Sequence, residues 1–290
     1  METENSTFKY VRSVQVEAPS GRLVRKTSRL VGVSAWLEQL RSSGSDRLWL
    51  VVPQASSSPT CSLDPQLAAA FANGGEWAVM STGRDKVLWT STWTVGDRGA
   101  AEHRIWDVRC TGTRLAGVAH PQQPDIEPSR DELLGALRRV RHFADSNSLS
   151  SWTAWFDKAI AAADADDPVI AYNPDLAPAG MLDLARTRLL AAAVQAWVFG
   201  GMGSWNDVWL DDETQNRKLT EVTRRLCRAV LQALTAVTNA SYALAQRKPC
   251  THGHAAGRSD GVRLCRWTCT AFPQPDRRYF LAERLASYRW

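Results

Sequence analysis

The sequence predicts an α+β protein: a mainly antiparallel sheet carrying two helices, then a mostly α-helical, bundle-like unit, then a basic tail. Up to about residue 118, short β-rich runs alternate with stretches of helical spacing. The ten residues Ala119–Pro128 contain three prolines, which makes a stiff, extended connector. From Ser129 onward the apolar residues recur with helical period. A chain of 290 residues exceeds what one small core needs, so the expected units are 1–118, a Pro-rich linker at 119–128, a helical domain at 129–246 and a poorly ordered tail at 247–290.

Phe8–Val16 alternates loosely, is β-rich and breaks at Pro19-Ser-Gly21. Val33, Trp36, Leu37 and Leu40 have helical spacing, with Ser34 near the start and Gly44 past the end. Leu48-Trp-Leu-Val-Val52 is a continuous apolar run closed by Pro53, which reads as a central strand buried on both faces. Asp64 followed by Pro65 reads as an N-cap with proline at the first helical position. That helix is expected to reach Phe71 and stop at Asn73-Gly-Gly75. Trp77–Met80 and Val87–Val95, joined through Gly83-Arg-Asp85, form an antiparallel hairpin whose Trp89, Ser91, Trp93 and Val95 face is core-like. Arg104–Val108 is the last strand, completing a sheet of four or five strands with two helices on one face.

Ser129 and Glu132 have capping-box spacing, and the helix they open carries Leu133, Leu134, Leu137, Val140 and Ala144. Trp152, Trp155, Phe156, Ala159, Ile160 and Ala163 follow the amphipathic template of a second helix. After a break at Asp164–Pro168, a third helix is expected from Met181 to Phe199, ending in a left-handed cap at Gly200-Gly201. A fourth, Glu213–Ala245, sets Leu219, Val222, Leu226, Val230, Ala233, Val237 and Ala240 along one side. Four helices with short connections suggest an antiparallel bundle.

Charge is unevenly spread. Residues 247–290 hold nine Lys/Arg against three Asp/Glu, leaving 26 basic and 27 acidic residues in 1–246. The net charge of +5 therefore belongs to the tail, and a nucleic-acid contact is an option for the tail rather than for the body. The basic run Arg22–Arg29 reads as a solvated face. No apolar run reaches the roughly 18 residues of a membrane span, so no membrane is expected. The acidic first residues lack the apolar stretch of a secretory signal, and the expected location is cytoplasmic.

The segment Trp197–Trp209 stands out, with three tryptophans and three glycines between two helices. Glycine admits close approach or positive φ, and tryptophan brings a large apolar area with an N–H that needs a partner when buried. Trp197, Ser204, Trp205, Asn206, Asp207 and Trp209 are the candidate binding residues. They supply polar groups and aromatic walls of the kind binding sites use. Asp207, Asp211, Asp212 and Glu213 have the oxygens to hold a hard cation, or alternatively put negative charge at a helix N-terminus. Asp207 is the candidate acid/base or metal ligand if the protein is an enzyme on a small polar or phosphorylated substrate.

In the tail, Cys250, His252, His254, Cys265 and Cys269 are zinc-ligand types, but their Cys-x-His-x-His and Cys-x-x-x-Cys spacings depart from those of zinc knuckles. The expected reading is a tail without metal, and no cofactor is expected elsewhere. The lone body cysteines Cys61, Cys110 and Cys227 read as small apolar residues. The sequence contains no nucleophile elbow, no His-Glu-x-x-His pair and no phosphate-binding glycine loop. The expected function is accordingly non-enzymatic: an intracellular protein that binds a protein partner through the aromatic and Gly-rich loop 197–212.

Overall fold

The computed structural model describes residues 9–19, 30–45, 47–52, 64–69, 77–119, 121–172, 174–177 and 180–245. The Arg22–Arg29 run, Cys61, Phe71 and the tail cysteines and histidines lie outside the described residues. The fold is α+β. Strands β1 (Val11–Glu17), β2 (Leu30–Val31), β3 (Arg47–Val51), β4 (Ala78–Thr82), β5 (Lys86–Val95) and β6 (Trp106–Leu115) form one sheet in the order β2-β1-β6-β5-β4-β3. The β4–β5 hairpin has the expected antiparallel pairing, with Met80 opposite Leu88.

The sheet is mainly antiparallel, as expected, but has six strands rather than four or five, and one pair is parallel: β1 runs alongside β6, with Val14 opposite Val108 and Val16 opposite Cys110. That pairing joins residues about ninety positions apart, which no local pattern reports. In addition, β3 is an edge strand rather than a central one. Its unbroken apolar run reflects cover on both faces, and face burial does not determine a strand's rank across the sheet.

Helix α1 (Val33–Ser42) covers one face. Trp36 sits inside a cluster with Val16, Val87, Trp89, Val108 and Cys110, and its ring meets Trp89 edge-on at 5.1 Å. The helix ends in a Schellman motif: Gly44, at φ +77°, donates to Arg41 O, and Ser45 donates to Leu40 O. Its N-cap position is Gly32, so Ser34 is already one residue inside. Helix α2 (Pro65–Ala68) does not share the α1 face; it packs against the helix Glu213–Ala245 instead.

The helices α3 (Ile126–Ser146), α4 (Ser150–Ala162), α5 (Leu184–Gln195) and α6 (Glu213–Ala245) close a ring, with α3 and α5 each against both α4 and α6. Cross-links show the antiparallel sense. Arg130 reaches Asp164 and Arg141 reaches Asp157 between α3 and the α4 end, while Arg225 meets Glu132 and Gln232 meets Ser129 between α6 and α3. Leu189 through Val194 are buried without interruption, so the second half of α5 is covered on every side.

Helix α6 has the expected bounds, whereas the start of α3 and both ends of α5 differ; α5 begins at Leu184 after N-cap Asp183, not at Met181. Helix α3 begins at Ile126 after N-cap Asp125, three residues before the expected capping box. Pro128 thus falls in the first turn, where a missing N–H breaks no helical bond, and Ser129 is buried against Gln232 instead of capping. Helix α5 stops at Gln195, and Val198 and Phe199 continue into the core as extended chain. Gly200 and Gly201 are not left-handed; that conformation falls to Gly203, at φ +81°.

Each half has its own apolar cluster, one around α1 and the sheet, the other inside the helices. Polar contacts join them, alongside Ala69 and Trp77, which pack against the helical cluster. Asn239 of α6 bonds the backbone of Leu50, Arg224 bonds Asp64, and Asn206 donates to Gln66 O. The connector is fastened at Gln123, whose Oε1 accepts from Arg47, and just before it Val118 O accepts from Lys86. No helix of the described residues is long and apolar enough to cross a membrane.

Candidate functional site

The 197–212 loop is anchored from within by Trp205. This ring is 1% exposed, with Phe156 at 5.2 Å, Trp152 at 5.3 Å and Phe143 at 6.5 Å, all edge-on. Its Nε1–H donates to Thr223 Oγ1 at 2.7 Å, which satisfies the polar handle of a buried indole. Trp205 is therefore a core residue and offers no exposed contact area.

The polar residues around it shape the backbone. Ser204 Oγ donates to Gly200 O at 2.9 Å and accepts from Asn206 N–H at 3.2 Å, opening a short 3₁₀ turn over Trp205–Asp207. Asn206 Nδ2 donates to Gly200 O at 3.2 Å and to Gln66 O at 2.9 Å, tying the loop to α2. The exposed Asp207 carboxylate turns back to accept the Gly203 N–H. Asp212 accepts from Gln215 N–H at 2.8 Å as the N-cap of α6, and Glu213 pairs with Arg217 one turn on. Among the described residues no group of three or more His, Cys, Asp or Glu is placed to hold a metal ion.

Two tryptophans of the loop remain. Trp197 is half-buried between Trp77, at 6.1 Å, and Phe199, at 5.7 Å. Trp209 differs from both: it is 77% exposed, and Met202 on the same loop is also exposed. Trp209 is nonetheless held at its backbone. Val208 and Leu210 on either side pack against the helical core. Asn216, in the first turns of α6, accepts from Leu210 N–H at 3.0 Å and donates to Leu210 O at 2.5 Å.

Sequence reasoning missed Asn216 as the residue that fixes Trp209. Its spacing to Leu210 is short, but only the turn geometry brings the amide back onto that backbone. The loop thus presents one bare indole on a hydrogen-bonded mount, with the exposed Asp207, Asp211, Asp212 and Glu213 close to it along the chain.

The two thiols among the described residues are poorly suited to chemistry. Cys110 and Cys227 are buried, and desolvation pushes them up to about 11 and about 12. The Cys250, His252, His254, Cys265 and Cys269 set lies outside the described residues. Comparison with known proteins gives no matching family model, no matching curated protein and no matching solved structure.

Proposed function

We propose that this chain is a non-enzymatic, cytoplasmic binding protein whose contact element is the 197–212 loop, with Trp209 as its anchor. The observation that carries this reading is the contrast within the loop: every tryptophan but Trp209 is packed, and the flanking backbone of Trp209 is clamped by Asn216. An exposed indole whose mount is already ordered loses little freedom on binding, and tryptophan is the residue type most enriched among interface hot spots. The neighbouring carboxylates favour a partner segment that carries lysine or arginine beside an apolar side chain, since complementary charge steers encounter and a cation over an indole face is attracted to it.

The test is in-cell crosslinking and co-purification of the tagged full-length chain, read by mass spectrometry, beside Trp209→Ala and Asp211→Asn/Asp212→Asn variants. The expected result is a protein partner that Trp209→Ala loses by at least about tenfold, as removal of a hot spot worth 1.4 kcal/mol or more requires. Neutralising Asp211 and Asp212 should slow association and reduce its salt dependence. An identical partner set for wild type and Trp209→Ala would overturn the reading.

A further inference from the structure

Strand β3 ends the sheet, so among the described residues one row of its backbone groups has no neighbouring strand. In its register with β4, where Trp49 faces Met80, the residues whose N–H and C=O point outward include Leu48 and Leu50. The segment Leu48-Trp-Leu-Val-Val52 has no charge and no proline and is rich in strand formers. A stretch of this composition on an open edge is a template for strand addition.

Here the edge is met by a helix. Asn239 of α6, 1% exposed, accepts from Leu50 N–H at Oδ1 (2.8 Å) and donates from Nδ2 to Leu50 O (3.2 Å). These are the two bonds that a paired strand would make at that residue. Arg47, at the start of the strand, donates to Asn239 O at 2.8 Å while its guanidinium lies 3.7 Å from the centre of the Trp49 ring.

We infer that Asn239 is an edge-blocking residue: its carboxamide occupies the middle pairing position of β3 and closes a latent surface for β3 of a second copy of the chain. The second copy is the fitting occupant because the segment is self-complementary. Antiparallel pairing about Leu50 sets Leu48 opposite Val52 and Trp49 opposite Val51, so apolar residues meet apolar ones and no like charges oppose. The helix supplies the cover that other edges obtain from a charge, a bulge or a proline.

The experiment compares the full-length wild type with Asn239→Ala over a wide concentration range, by light scattering after gel filtration, with far-UV circular dichroism to confirm folding. The wild type should keep one stoichiometry. Asn239→Ala should gain mass with concentration, and its Leu50 amide should exchange fast when dilute and become protected when concentrated. Adding Leu50→Pro, which removes the outward-facing N–H at the cost of a buried side chain, should abolish the association while circular dichroism shows the fold retained. Should the alanine variant fail to fold, Asn239→Ser carries the same test, because its shorter side chain cannot bond both Leu50 N–H and Leu50 O. A folded variant whose stoichiometry matches the wild type at every concentration would overturn the inference. So would an association that persists with Leu50→Pro or leaves the Leu50 amide unprotected.

Discussion

Replacing Trp205 with alanine removes the ring on which Phe143, Trp152 and Phe156 converge, and it strips Thr223 Oγ1 of its donor. A buried tryptophan cut to alanine costs about 3–5 kcal/mol, and three edge-on aromatic partners place this site in the upper part of that range. At about 2–4 °C per kcal/mol the midpoint should fall by roughly 10 °C or more. Trp205→Phe keeps much of the ring and loses the N–H, so it should cost about 1–2 kcal/mol, mainly from the hydroxyl left without its donor. Trp209→Ala, four residues along the same loop, should stay within about 0.5 kcal/mol of wild type, because the exposed ring contributes little to the fold. Urea unfolding followed by far-UV circular dichroism is the suitable assay, since thirteen tryptophans would blend in fluorescence. If Trp205→Ala proved as stable as Trp209→Ala, the loop would not be core-anchored, and the account of how it presents Trp209 would fail.

Three further outcomes are expected. The Arg12 guanidinium and the Ser13 hydroxyl bonded to Asp107 hold its carboxyl below the ordinary value of 3.8. The resulting stabilisation is present above that value and lost as pH falls through the lower folded one, so Asp107→Asn should flatten the acid limb of the urea midpoint plotted against pH. Cys110 and Cys227 should resist iodoacetamide in the native protein at neutral pH and react on unfolding, as read by mass spectrometry. Because burial raises both thiols, stability should hold up to about 9 and decline as pH rises toward their folded values of about 11 and about 12. Limited proteolysis within 119–125 should release two fragments that each keep their secondary structure; a chain that resists there and is cut only beyond residue 246 would argue for one cooperative unit.

The sequence was most legible where structure is local and periodic. The 33 residues of α6 repeat one apolar stripe through Leu219, Leu226, Val230, Ala233 and Val237, and all of these are buried. The end of α1 was readable from Gly44, because only a glycine meets the left-handed position without strain. Non-local features were not legible. The parallel β1–β6 pair and the edge rank of β3 depend on which strands the chain brings together after loop closure. Pro128 looked like linker because proline usually interrupts helices, yet the first turn tolerates it. Within the site, Trp205 and Trp209 were equivalent by type and neighbourhood, and tertiary packing alone separated them. Asn239 did leave a signal: an amide between the buried Ala236 and Ala240 must find partners, and buried polar groups of this kind are worth marking in advance.

Asn216 and Asn239 grip the backbones of Leu210 and Leu50 by the same two-bond contact, and both stand on α6. Their separation of 23 positions corresponds to about 34 Å of rise and to side chains leaving the axis about 140° apart. The helix therefore works as a spar of fixed length and phase between the mount of Trp209 and the margin of the sheet. Substitutions on its wet side leave both grips in place. A single inserted or deleted residue between the two amides turns one of them by about 100° relative to the other, so that only one grip can survive. Over this stretch the chain is free to vary in chemistry but not in count.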